Sequence, residues 1–146
     1  MRRFLPDVNT VLALLDPMHV HHEAAHQWYA SQFPLRLILC PHVENGVIRV
    51  ASQPKYPNCL GTSSRVRDVL QEFVQKVNAA FCKTDVSLLD NEVLLQAGTL
   101  TPSRVSDLYL LALAAANDAR FATFDTRIPA AAVAGGSAAL EIIPVS

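Results

Sequence analysis

The stretch Leu35-Arg36-Leu37-Ile38-Leu39-Cys40-Pro41-His42-Val43-Glu44 decides the fold. Positions 35–40 form the clearest strand in the chain, a short and nearly continuous apolar run. Pro41 then suits the first turn of a helix, where its missing N–H is not needed and its fixed φ is already helical. Val43, Val47 and Val50 share a face of that helix, with Glu44 beside it. A strand that feeds a helix directly is half of the β-α-β unit from which parallel sheets are built.

Outward from this unit the same alternation recurs. Phe4-Leu5 reads as a short buried strand stopped at Pro6-Asp7. Asn9 is the expected N-cap of a short helix carrying Val11, Leu12, Leu14 and Leu15, ended by Asp16-Pro17. A His-rich loop leads into a helix over about 23–31. The Pro- and Gly-containing stretch 52–62 reads as a loop, the best linker candidate, although neither side has the length to fold alone. Val66, Val69, Leu70, Phe73, Val74 and Val77 match the spacing of an amphipathic helix. A short strand at 79–82 and a helix at 91–97 closed by Gly98 are expected next. Ser106 is the expected cap of a helix over about 107–118, apolar nearly all round and therefore central. Strands at 121–124, ending at Asp125, and at 140–143 complete the pattern. The reading is α/β: one domain over 1–146, a parallel sheet with helices on both faces.

Composition narrows the function. A chain of 146 residues suits one domain with a real core. The net charge of −1 supplies no global field for a polyanion, so nucleic-acid binding must use local Lys and Arg or a metal. The surplus of apolar residues is consistent with a surface covered by a partner. Cys40, Cys59 and Cys82 form no CxxC pair and suit a reducing, cytoplasmic setting, Cys40 and Cys82 as buried residues. Asp7 and Asn9 interrupt any export signal after Arg2 and Arg3, and the longest apolar run, 108–116, is too short to span a bilayer. A soluble protein is expected.

Four acids carry the functional reading. Asp7 and Asp125 follow strands, Glu44 lies within one turn of a strand end, and Asp107 opens a helix. In an open α/β sheet, functional groups gather beyond the carboxyl ends of the strands, so all four are expected at one rim. Carboxylates brought to roughly 4 Å repel by about 4 kcal/mol per pair at an effective dielectric near 20. Raised pKa values or a bound cation must offset that. With oxygen donors and no Cys or His at these points, Mg²⁺ or Mn²⁺ is favoured over zinc, and such a site cuts phosphodiesters with an activated water. Arg104 and Arg127, next to these acids, are the best candidates for phosphate contacts. Trp28 and Tyr29 have an exposed-base reading and a core or partner reading, of which the second is favoured.

A competing motif is His22-Glu23-Ala24-Ala25-His26, which matches the HExxH of zinc peptidases. The stretch is locally His-rich, lacks a third ligand at a familiar spacing and leaves the four acids idle. A solvated or packed helix start explains it better.

At the acids the chain resembles the PIN-domain ribonucleases, specifically the VapC-type toxins of bacterial toxin–antitoxin pairs. The segments that carry the resemblance are Leu5-Pro6-Asp7-Val8-Asn9, Cys40-Pro41-His42-Val43-Glu44-Asn45-Gly46, Ser106-Asp107-Leu108-Tyr109-Leu110-Leu111-Ala112 and Ala122-Thr123-Phe124-Asp125, with likeness also at Tyr56-Pro57 and Ile142-Ile143-Pro144. The resemblance implies a three-layer α/β/α PIN-like fold and Mg²⁺- or Mn²⁺-dependent endoribonuclease activity on structured RNA. It also implies inhibition by a cognate antitoxin and a homodimer. Asp7, Glu44, Asp107 and Asp125 would be the metal-binding acids, and Asn9 would orient Asp7 or its waters. The alternative is a non-catalytic interaction module of the same fold, which predicts partner binding without metal-dependent turnover.

Overall fold

In the computed structural model, which describes residues 1–145, the first strand (β1, Arg2–Pro6) lies at the centre of a five-stranded sheet. The others are β2 (Leu35–Leu39), β3 (Ala80–Phe81), β4 (Arg120–Thr123) and β5 (Leu140–Ile142), in the spatial order β3-β2-β1-β4-β5. Every pairing is parallel, with Phe4 beside Leu37 on one side and beside Arg120 on the other. All carboxyl ends therefore point to one edge, and successive side chains alternate between faces. Leu5, Ile38 and Phe121 enter one core; Phe4, Leu37 and Ala122 enter the other.

Helices cover both faces: α1 (Val8–Leu15), α2 (His22–Gln32), α3 (Pro41–Ala51), α4 (Ser63–Val77), α5 (Val105–Ala116) and the short α6 (Gly136–Ala139). Val43, Val47, Val66 and Leu70 of α3 and α4 join the first core with the α5 residues Leu108, Leu111 and Leu113. Ala25 and Trp28 of α2 fill the second, where Trp28 meets Phe4 edge-on with ring centroids 5.0 Å apart. Trp28 is thus a core residue, as favoured, and its indole N–H donates to Glu141 at 3.2 Å. The expected three-layer α/β/α fold with a parallel sheet is present. Among the described residues no helix is long and apolar enough to cross a membrane.

Three local expectations need correction. Helix α1 is capped by Asp7, not Asn9: the Asp7 carboxylate accepts the Thr10 N–H at 2.8 Å, leaving one residue between β1 and α1. Helix α5 begins at Val105 after Arg104, so Ser106 does not cap it and Asp107 is its third residue. The expected helix at 91–97 is absent. The Asp90 carboxylate instead accepts the Glu92 N–H, Leu94 pairs with Val133 in an antiparallel bridge, and the Leu95 N–H donates to Ala132 O at 2.8 Å. Local side-chain hydrogen bonding and burial of Leu94 against 132–134 outweigh helix formation there.

The His-rich segment closes α1. His22 Nδ1 lies 2.7 Å from Ala13 O and His26 Nε2 2.9 Å from Leu14 O, two carbonyls of the last helical turn that have no acceptor role inside the helix. The HExxH match is therefore a packed helix start, each ring engaged by a carbonyl of α1. The three cysteines are free, Cys40 and Cys82 buried and Cys59 exposed.

Close approach of α1 and α3 requires Gly46. A Cβ there would sit 2.6 Å from a Val8 methyl, and valine is stiff at χ1. Gly46→Ala is expected to destabilise the fold by about 1–3 kcal/mol, the usual cost of overpacking, read as a lower urea midpoint.

Candidate active site

The carboxyl edge of the sheet carries a cavity of about 410 Å³ lined by Asp7, Asn9, Asp107, Thr123, Asp125 and Arg127 among others. Asp7 stands at the junction of β1 and α1, and Asp125 two residues past β4. Asp107 reaches the same cavity from the first turn of α5, where the helix dipole favours a negative charge. Three of the four expected acids are thus brought together. Glu44 is not: half-buried on α3, it lines a neighbouring groove with Asn45, Arg67 and Leu70, between α3 and α4. Its place one turn into the helix turns it toward α4.

Hydrogen bonds fix the three aspartates. Asp7 Oδ1 accepts from the Thr10 N–H, and Asp7 Oδ2 accepts from the Thr123 hydroxyl at 2.7 Å. The buried Thr123 oxygen in turn accepts the Asp125 N–H at 3.1 Å, so one side chain sets two acids. Sequence reading missed Thr123. Its signal was a hydroxyl closing a short strand, two positions before an aspartate. Asn9 was expected to orient Asp7; its side-chain oxygen instead lies 2.9 Å from His19 Nε2.

Arg104 and Arg127 are engaged by the acids. Arg104 lies 3.1 Å from Asp125 and 3.9 Å from Asp107. Arg127 donates to Asp125 through its backbone N–H at 2.9 Å and its Nε at 3.2 Å. The backbone N–H of Arg127 is the largest influence on Asp125 and, with both guanidiniums, holds its carboxyl below the ordinary range. Asp7 and Asp107 go the other way. Burial pushes Asp7 up, against the hydrogen bonds from Thr10 and Thr123, and the Asp125 charge adds to the rise. Burial and the charges of Asp7 and Asp125 raise Asp107 despite Arg104 and Arg127.

Three carboxylates thus face two guanidiniums, and the two most desolvated acids remain under-compensated. An all-oxygen donor set short of positive charge fits a hard divalent cation, and not zinc. The residues fit Mg²⁺ or Mn²⁺ in donor chemistry and in charge; among the described residues no group of three His, Cys, Asp or Glu side chains is already set around one ion position, so a bound ion would have to draw the acids inward.

Comparison with known proteins agrees with this geometry. A family model described as the PIN domain matches residues 4–134. A Mycobacterium tuberculosis protein named Ribonuclease VapC44 is 41% identical over 135 residues, covering 92% of this chain and 94% of the relative. Ribonuclease VapC38 of the same species is 34% identical over 125 residues, covering 85% and 86%. Among solved structures, VapBC2 from Rickettsia felis bound to a promoter DNA fragment superposes with a TM-score of 0.57 at 15% identity, over 87% of this chain and 93% of the other. At that identity the likeness concerns the fold.

Proposed function

Because this chain belongs to the PIN-domain family, alongside the VapC-type ribonucleases, we propose that it is a metal-dependent endoribonuclease toxin whose 1–146 stretch works as one nuclease domain. The observation that carries the reading is the trio Asp7, Asp107 and Asp125 on one cavity at the carboxyl ends of a parallel sheet, short of positive charge.

Asp7, Asp107 and Asp125 would hold Mg²⁺ or Mn²⁺; Glu44, the fourth expected acid, would join them only by turning out of the groove between α3 and α4. Bound there, the ion would supply Lewis acidity toward a phosphoryl oxygen and lower the pKa of a water. The chain's own residues prepare the site. Thr10 and Thr123 lock the Asp7 carboxylate, and Arg104 ties Asp107 to Asp125 across the cavity. Arg127 is 77% exposed and commits its Nε to Asp125, leaving its terminal nitrogens free to meet a phosphate.

We infer partners on the same footing: an RNA substrate, a cognate antitoxin, and a second copy of the chain in a cytoplasmic homodimer.

The test is cleavage of total RNA by the purified protein. Discrete cuts are expected with Mg²⁺ or Mn²⁺ and none with chelator. A folded protein that cuts no RNA in either metal would leave the interaction-module reading in its place.

A further inference from the structure

Three rings run in series from the 16–21 turn to the acid cavity. His21 stacks on Phe124, with centroids 4.6 Å apart and planes within 24°. Phe124 lines the cavity beside Asp7, Asp107 and Asp125. His19 comes next, 5.9 Å from His21 and tilted by 45°.

Hydrogen bonds orient this wall. The His21 backbone N–H donates to His19 Nδ1 at 3.0 Å, so the neutral His19 ring carries its proton on Nε2, which donates to Asn9 Oδ1. The Asn9 carbonyl is thereby used, and its NH₂ group remains a donor in the cavity wall. The half-exposed His21 ring is held by stacking alone: neither nitrogen has a hydrogen-bond partner among the described residues.

Hydrogen bonds within the turn fix its shape. Asp16 accepts the Met18 N–H at 2.9 Å and the His19 N–H at 3.0 Å, and the His22 N–H donates to His19 O at 3.0 Å. A preorganised surface loses little entropy on binding. Arg104 is engaged by carboxylates and the free end of Arg127 is assigned to the phosphate, so recognition of a base on this side falls to stacking and to the Asn9 amide. An aromatic face beside an amide donor is the combination that takes an unpaired base, stacked on the ring and hydrogen-bonded at an edge.

We propose that His21, stacked on Phe124, and Asn9, held by His19, form a subsite for one unpaired RNA nucleotide adjoining the scissile phosphate. This rests on the nuclease reading above and adds to it where the RNA is gripped.

The experiment maps cuts on total RNA in Mg²⁺, then uses a single-stranded oligonucleotide spanning one cut as substrate. His21→Ala is expected to raise KM roughly tenfold, within what one base–aromatic stack contributes, with kcat little changed. His21→Phe, which keeps the face, should restore KM. An abasic residue beside the cut should raise KM for the wild type and abolish the difference between it and His21→Ala. The abasic arm on wild-type protein stands even if His21→Ala folds poorly. Two results overturn the subsite while leaving the nuclease intact: a KM indifferent to abasic substitution at every position flanking the cut, or equal losses in the Ala and Phe variants. A wild-type protein with no metal-dependent cut overturns both readings together.

Discussion

Asp7→Asn is expected to abolish RNA cleavage and, in chelator, to raise the melting temperature. The loss should exceed about 100-fold, since removing even an outer-shell partner of a metal ligand typically costs 10–100-fold. The gain follows from where Asp7 sits. Burial pushes its carboxyl above the ordinary 3.8, so the folded state disfavours the charged form. For an acid raised on folding, the stability of the protonated form is fully present below the unfolded value and is lost as pH rises through the folded one. Asparagine mimics the protonated state at every pH and still offers an oxygen to the Thr10 N–H. The difference in Tm between variant and wild type should therefore be small near pH 3.8 and grow as pH rises. Each kcal/mol relieved is worth about 2–4 °C in a domain of this size. Mg²⁺ should reverse the order, because wild type gains about 2.7 kcal/mol at 100 times its Kd and the variant does not. Thermal melts in chelator and in Mg²⁺ across pH, beside a cleavage assay, check both halves. A variant that still cuts RNA would remove Asp7 from the site; an unchanged Tm in chelator would show that its charge is already compensated.

The elements whose patterns are set locally were legible in the sequence. The 35–40 strand running into Pro41 marks the sheet, and the valine and leucine spacing of 66–77 gives α4 because one face of that helix meets the core. What could not be read was decided by partners distant in sequence. The 91–97 segment has helix-compatible residues, but its main chain is claimed by 132–134. The acids show the same division. Asp7, Asp107 and Asp125 converge because strand ends and a helix start must point to one edge, which alternation alone implies. Glu44 differs because its direction depends on the rotation of α3 against α4, which no local pattern encodes. Thr123 was hidden for a related reason: its role exists only through bonds to Asp7, 116 residues away, and to the Asp125 N–H. His22 and His26 likewise become intelligible once the end of α1 is seen to lie beneath them.

Asp16→Ala is expected to cost about 3 kcal/mol and to lower Tm by about 10 °C, through loss of a buried carboxylate bonded to three donors. Asp16 is 1% exposed and accepts from the Met18 N–H at 2.9 Å, the Tyr56 hydroxyl at 2.9 Å and the Asn58 amide at 3.0 Å. It thereby ties the end of α1 to the 52–62 loop and sets the turn that carries His19 and His21. Burial on its own would raise the Asp16 carboxyl, but the bonds from Met18, Tyr56 and Asn58 outweigh it and hold the group low. Tyr56 pays the complementary cost, its hydroxyl pushed up to about 12 by burial and by the Asp16 charge. The sign is therefore opposite to that of Asp7. An acid lowered on folding contributes stability that is present above 3.8 and disappears as pH falls through the folded value. Asp16→Asn keeps the shape and part of the bonding, so its deficit should be smaller at neutral pH and should vanish as the medium is acidified below that point. Over the same titration, from about pH 3.8 upward, Asp7→Asn gains on wild type. Two aspartates nine residues apart, at opposite ends of one helix, would thus be separated by pH alone. One is satisfied by neutral donors and serves the fold; the other is left short of positive charge, as the proposed metal site requires. Melting curves of both Asn variants that ran parallel across pH would refute that division.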